Sequence, residues 1–122
     1  PQVASIMDAE RAGQLMKNLA MPLLGVVENM SGHACPACGH DTAILGTGGG
    51  AVLADCLETV CWAQLPLQSS VSDGGDQGQP IALQDSVYDI VADCLTQAVA
   101  QLPKYNPLSS VSVEGVGEHI ER

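Results

Sequence analysis

The order of apolar and polar positions predicts helices that alternate with short buried strands. From residue 3 to residue 19, apolar side chains recur at spacings of three and four, which favours an amphipathic helix that ends before Pro22. Residues 22–27 (PLLGVV) and 60–67 (VCWAQLPL) are nearly unbroken apolar runs, typical of strands buried on both faces of a parallel sheet. A helix followed twice by such a strand predicts the α/β class.

The remaining segments divide into helices and loops. Residues 51–58 are predicted to form a helix after a glycine run, and residues 81–102 carry an apolar stripe of helical period that stops at Pro103. The segments 28–50 and 68–80 sustain neither period and are predicted to be loops. Because long loops in compact domains are usually functional, the first of them is the place to look for a site.

The predicted elements are too few for a complete sheet. Two strands and three helices fall short of the roughly 5–6 strands of an average sheet, and the chain opens in a helix with no strand before it. We therefore expect residues 1–102 to be the C-terminal portion of an α/β domain, either truncated or completed by another polypeptide. Residues 103–122 carry prolines and serines without periodicity and are expected to be a flexible tail.

Composition and charge exclude several classes of function. Hydrophobic residues make up 46% of the chain, too many for intrinsic disorder, while aromatic residues at 2% leave no stacking platform for single-stranded nucleic acid. The formal charge of -10 argues against binding to nucleic acid or to an anionic membrane surface. No Lys or Arg lies between Asn18 and Pro103, so backbone N–H groups or another chain must hold any anionic ligand there.

The cysteine pattern predicts a reducing, cytoplasmic location. The sequence also shows no apolar run of membrane length and no signal-like start. An odd count, with one C-x-x-C pair and three isolated residues, does not suit a disulfide framework. The isolated cysteines lie in predicted helices or strands, where cysteine usually serves as a small buried hydrophobe. They are Cys56, Cys61 and Cys94.

Cys35 and Cys38 are the sharpest chemical signal in the sequence. Two thiolates three residues apart, with Gly39 to permit a tight turn, can face one metal ion or cluster. They supply half of a four-ligand site, so a zinc site would need His33 or His40, or a second copy of the chain. Both histidines are otherwise expected to be exposed loop residues. A thioredoxin-like redox pair lacks the strand-then-helix context that this chemistry needs.

Two other features lie near the predicted strands. Asn29 follows the first strand at its carboxyl end, where open α/β sheets bind ligands, and it is either a nucleotide contact or a turn residue. The glycine run 48–50 precedes a helix as a phosphate cradle would, but it lacks a lysine and a preceding strand. We therefore expect it to serve close packing.

Four sequence blocks together resemble one family. The blocks VVENMS, CPACG, LGTGGGAVLA and QLPLQSSVSDGGDQGQPI, preceded by PQVASIMDAERAGQLMKN, are similar in order to the C-terminal half of the Mrp/Nbp35 iron-sulfur cluster carriers. These carriers are P-loop ATPases of the deviant Walker type. The resemblance covers residues 1–102. The family's phosphate loop has no counterpart around Lys17 or Lys104, so we expect this chain alone to lack ATPase activity.

The resemblance implies a cofactor and a set of partners. It implies that Cys35 and Cys38 of two subunits hold a 4Fe-4S cluster in a homodimer, and that recipient apo iron-sulfur proteins are the partners. The complete protein would bind ATP and Mg²⁺, with Asn29 facing the adenine. The residues that end the second strand, together with the following loop, would enclose the base. They are Pro66, Leu67 and Asp76.

Overall fold

The computed structural model of the chain describes residues 1–103. In this part of the chain it contains four α-helices, four short strands and one 3-10 turn. In chain order they are α1 (Val3–Asn18), β1 (Val26–Glu28), β2 (His33–Ala34), β3 (Asp41–Thr42), α2 (Gly49–Cys56), β4 (Cys61–Gln64), α3 (Ser69–Asp76), the 3-10 turn (Ile81–Leu83) and α4 (Ser86–Ala100). The predicted tail lies, apart from its first residue, outside the described residues.

The two predicted strands pair in parallel, as expected for the α/β class. Val26 of β1 lies beside Cys61 of β4, and Glu28 beside Gln64, with an irregularity in register after Val26. Both strands are shorter than the apolar runs that predicted them. The first ladder bond runs from the Val26 N–H to the Val60 carbonyl, so residues 22–25 contribute nothing to the sheet. The parallel connection places both strand ends at one edge.

The core of the described residues is small and lies under α2. This helix packs against β1, β4 and α1, and it supplies Leu53 and Ala54, with Leu57 directly after it. α1 approaches closely because Gly13 is buried against the Leu57 side chain, and Gly49 lies against Ile6 in the same way. The glycine at position 49 therefore serves close packing, as the sequence predicts.

The prediction that the strands are buried on both faces is wrong. Val27 is 36% exposed, and the residues of β4 are half-buried or exposed. The apolar stripe of α1 is not buried either: the buried residue of this helix is Gly13, while Val3 and Leu15 are largely exposed. The described part of the chain thus covers only one side of these elements.

Other predicted boundaries also differ from the structure. The helix predicted over residues 51–58 is α2, which begins two residues earlier and ends at Cys56. The predicted loop 68–80 contains helix α3, and the predicted loop 28–50 contains the antiparallel pair β2 and β3. The helix predicted from residue 81 begins only at Ser86, because Asp85 caps it by accepting a 3.1 Å hydrogen bond from the Val87 N–H. None of the described helices is long and apolar enough to cross a membrane.

Candidate functional site: the cysteine hairpin and the strand ends

Cys35 and Cys38 lie in a hairpin formed by β2, β3 and the six residues between them, here called the cysteine hairpin (residues 33–42). The Cys35 N–H donates to the His40 carbonyl at 3.0 Å, and the Gly39 N–H donates to the Cys35 carbonyl at 2.8 Å. Gly39 has φ +71°, a left-handed conformation that favours glycine. These bonds close a tight turn around the two thiols.

The turn also favours ionisation of one thiol. The N–H groups of Ala37 and Cys38, with the Cys38 thiol, hold the pKa of Cys35 below its usual range. Hydrogen bonds to sulfur stabilise the thiolate, which is the form that binds metal. Cys35 is half-buried and Cys38 exposed, so the pair is open to solvent and to a partner.

The two histidines differ in their surroundings. His33 lies in β2 and is half-buried, with Nδ1 2.8 Å from the Leu67 carbonyl oxygen; since a carbonyl can only accept, Nδ1 carries the proton. The prediction that His33 is an exposed loop residue is therefore wrong, whereas His40 is exposed as expected. Among residues 1–103 no three side chains of His, Cys, Asp or Glu converge on a possible metal position. Within this part of the chain, the two thiols therefore have no third candidate ligand beside them.

The isolated cysteines are not the buried hydrophobes that the sequence predicts. Cys56 is exposed, and Cys61 and Cys94 are half-buried. Periodicity assigns a residue to a helix or strand, but it does not reveal whether the side chain faces another element. The described core is also too small to bury these three cysteines. All five thiols are free.

Sequence reasoning missed Glu28, the buried carboxylate at the end of β1. Its side chain is only 4% exposed. The Gly48 N–H donates to Oε1 at 2.9 Å, the Gly50 N–H donates to Oε2, and the Gln64 amide donates to Oε1 at 3.3 Å. The detectable signal was an acid at the end of an apolar strand together with a glycine run opening a helix, because helix N-termini bind anions.

The balance of burial and hydrogen bonding keeps Glu28 ionised. Burial raises the pKa of Glu28, but the Ser31 hydroxyl and the N–H groups of Gly50 and Gly48 together bring it below the ordinary value. The glycine run therefore does form an anion cradle, and the anion it holds is the chain's own carboxylate. A Cβ on Gly50 would come within 2.7 Å of the Glu28 Cβ, so this contact also depends on glycine.

Asn29 follows β1 at the edge where the two strands end. It is exposed, and its Oδ1 accepts a 2.9 Å hydrogen bond from the Met30 N–H. It lines a cavity of about 270 Å³ together with Glu28, Met30 and Gly49. In this conformation Asn29 makes a turn contact and also borders an open cavity.

The other predicted base-contacting residues lie elsewhere along the same edge. Pro66 borders a second cavity of about 440 Å³, next to the cysteine hairpin. The Leu67 N–H donates to the Gly32 carbonyl at 2.8 Å. Asp76 is exposed at the end of α3. The structure thus brings Leu67 to the base of the hairpin, and it does not gather Asn29, Pro66 and Asp76 around one cavity.

The parallel strands, with a cysteine pair near their carboxyl ends, define the class: an α/β protein with a candidate metal site. Comparison with known proteins defines the family. A profile of the ParA family, described as the NUBPL iron-transfer P-loop NTPase, matches residues 1–102. The chain belongs to this family. The resemblance seen in the sequence blocks is confirmed.

Similar proteins carry consistent names. The iron-sulfur cluster carrier protein of Haemophilus influenzae is 36% identical over 102 residues, which are 84% of this chain and 26% of the relative. That of Escherichia coli K12 is 39% identical over 83 residues, or 68% of this chain and 22% of the relative. The mouse iron-sulfur cluster transfer protein NUBPL is 37% identical over 81 residues, covering 66% and 25% respectively.

A solved structure supports the fold. The nucleotide-binding protein of Archaeoglobus fulgidus, solved in complex with ADP and with cobalt detected, superposes with a TM-score of 0.54 at 26% identity. The match covers 66% of this chain and 33% of that one. Our chain therefore spans about a quarter of the curated relatives and a third of this structure.

Proposed function

We propose that this chain is the cluster-holding part of an iron-sulfur cluster carrier, in which Cys35 and Cys38 bind the cluster that is delivered to apo proteins. The observation that carries the proposal is the cysteine hairpin. Its backbone N–H groups favour the Cys35 thiolate, and Cys38 is exposed. A cysteine pair that is open to solvent suits a cargo that must be released. The names of the relatives support the same role.

A second copy of the chain is proposed to complete the site. Iron-sulfur clusters are usually held by four thiolates, and the described residues offer two in one place. Two copies related by a two-fold axis would contribute the same surface and four thiolates, enough for a 4Fe-4S cluster.

A reducing compartment such as the cytoplasm is also proposed, because all five thiols are free.

Nucleotide binding is proposed for the complete protein. The family is a P-loop NTPase family, and the structural neighbour was solved with ADP. Asn29 would face the adenine, with Pro66, Leu67 and Asp76 on the side of the base, and ATP with Mg²⁺ would drive cluster transfer. For the present chain we expect neither ATP affinity nor ATPase activity, because one exposed amide offsets little of the entropic cost of binding.

Anaerobic reconstitution with ferrous iron and sulfide tests the proposal. The unaltered chain is expected to turn brown and to retain iron and sulfide in equal amounts, whereas Cys38→Ser should retain neither. Cys56→Ser is the matched control because Cys56 is also exposed, and it should load like the unaltered chain. Full iron retention by Cys38→Ser would refute the ligand assignment. A colourless chain that takes up zinc instead would favour the alternative function, a zinc-binding or dimerisation module without nucleotide activity.

A further inference from the structure

The cysteine hairpin belongs to a longer excursion of the chain, residues 29–48, which leaves the sheet after β1 and returns at the start of α2. This segment is called the cysteine loop here. Its own regular structure is limited to the two-residue strands β2 and β3. The position of the thiols relative to the sheet therefore depends on what holds the two ends of the loop.

One side chain joins both ends. Glu28 is the residue directly before the cysteine loop, and its carboxylate accepts hydrogen bonds from the N–H groups of Gly48, where the loop ends, and Gly50, in the first turn of α2. The Glu28 backbone belongs to the ladder, since its carbonyl accepts from the Leu65 N–H at 2.7 Å. The carboxylate thus fixes the exit of the loop to the sheet at its entry.

We propose that Glu28 is a positioning residue for the cysteine pair: by binding Gly48 and Gly50 it closes the cysteine loop on the sheet and fixes where Cys35 and Cys38 are presented. The proposal rests on the proposed function for the role of the cysteines, but not for the geometry of the loop. Asp41, also in the loop, is exposed and does not join the two ends of the loop. We therefore expect this positioning from the buried Glu28 and not from Asp41.

The chemistry of the contact explains why a carboxylate is needed. Each oxygen of Glu28 accepts from a different glycine N–H, and Oε1 also accepts from Gln64. A glutamine side chain offers one acceptor oxygen and an NH₂ group, so one of the glycine N–H groups would face another donor. Glu28→Gln should therefore release one attachment with almost no change in volume.

Hydrogen exchange on the metal-free chain of 122 residues tests the proposal without a cluster. In Glu28→Gln, the amides of Cys35, Gly39 and Gly48 should exchange about tenfold faster, the factor expected for one lost hydrogen bond to a charged acceptor. The amides of Val26 and Leu65, which bond across β1 and β4, should keep their rates. Asp55→Asn removes an exposed carboxylate from α2 and should leave both groups of amides unchanged.

The outcomes separate positioning from general stability. Unchanged hairpin rates in Glu28→Gln, or equal acceleration of all amides, would overturn the proposal. Should that variant not fold, Glu28→Asp keeps the charge with a side chain one methylene shorter, and selective acceleration of the hairpin amides is expected there too. Global acceleration in both variants would likewise overturn it.

A second measurement links the loop to the cargo. After reconstitution with iron and sulfide, Glu28→Gln should lose its cluster to a chelator about tenfold faster than the unaltered chain, and Asp55→Asn should not. Equal rates for Glu28→Gln and the unaltered chain would overturn the positioning role. If the unaltered chain takes up no cluster, the proposed function fails, while hydrogen exchange still decides the role of Glu28.

Discussion

The buried carboxylate of Glu28 makes the stability of the chain sensitive to acid. The pKa of Glu28 is lowered from 4.5 in the fold, so the unfolded chain binds its proton more tightly. The stabilisation that ionised Glu28 gives the fold is present at pH values well above 4.5, and it is lost as the pH falls through the lower pKa of the folded state. We expect the urea midpoint to be constant from neutrality down to about pH 5.5 and then to fall as the pH decreases through 4.5 and below.

Glu28→Gln tests the origin of that acid loss. Lacking the titrating group, the variant should be less stable at neutral pH, by about 1.5 kcal/mol for the one lost bond to a charged acceptor, and should lose less stability on acidification. Glu58→Gln is the control, because Lys17 lowers the pKa of Glu58 at an exposed ion pair that contributes little to stability. Parallel acid profiles for Glu28→Gln and the unaltered chain would contradict this assignment.

Gly39 allows the conformation of the cysteine hairpin to be tested separately. A Cβ there would meet nothing within 4 Å, so the cost of Gly39→Ala comes only from its φ of +71°. We expect a local loss of about 1 kcal/mol, seen as faster exchange of the Cys35 amide. Gly39→Asn should lose less, since asparagine tolerates this conformation better. Equal exchange rates in the alanine variant and the unaltered chain would show that the turn is not strained.

Among the elements, α3 shows where sequence patterns stop being informative. Ser69–Asp76 carries serines and two adjacent glycines, has no buried residue and lacks an apolar stripe, so propensity favours a loop. The helix ends before Gly78, whose φ of +69° suits a helix C-terminus. The cysteine hairpin escaped prediction for a related reason, because strands of two residues are too short to display a period.

Gly74 and Gly75 provide a paired test of this helix. Gly75 has open space around it, so Gly75→Ala should raise the free energy of unfolding by about 0.5–1 kcal/mol through helix propensity. A Cβ on Gly74 would lie 2.6 Å from the Gln79 carbonyl oxygen, so Gly74→Ala should be destabilising. Thermal unfolding followed by circular dichroism measures both. A stabilising Gly74→Ala would contradict the packing of α3 against residue 79.

The longer elements could be predicted because each shows a pattern of apolar residues that is long enough to recognise. α1, α4 and the two parallel strands follow from apolar spacing, although the face of α1 that is buried contains Gly13 rather than the larger apolar residues. The cysteine pair could be located by its spacing alone. The contacts of Glu28 with the glycine run, and of His33 with Leu67, could not, because each joins residues 20 or more positions apart that only the fold brings together.

At the scale of the whole molecule, charge and ligand number make opposite contributions to assembly. Two copies, each with a formal charge of -10, would repel one another, whereas the proposed cluster, held by four thiolates, would draw two hairpins together. We expect reconstitution to convert monomer to dimer, more completely as salt screens the repulsion, and a chelator to reverse it. Sedimentation velocity measures the conversion.

Cys38→Ser is the control for this assembly, and it should remain monomeric under the same conditions. A monomer that holds a complete four-iron cluster would contradict the shared site and would direct attention to His33, His40 or Cys56 as further ligands. Salt-independent dimerisation without iron would mean that another surface joins the copies. The large exposed apolar residues of α1 would then be the first to substitute.

Trp62, whose indole packs against Gly25 where β1 and β4 begin, gives the chain a built-in optical signal. It is the single tryptophan of the sequence, so intrinsic emission has one dominant source. An iron-sulfur cluster absorbs across the visible range and can accept excitation energy from a nearby indole. Quenching of Trp62 would therefore follow loading, and recovery of its emission would follow delivery to a recipient without tryptophan, in real time and without a dye.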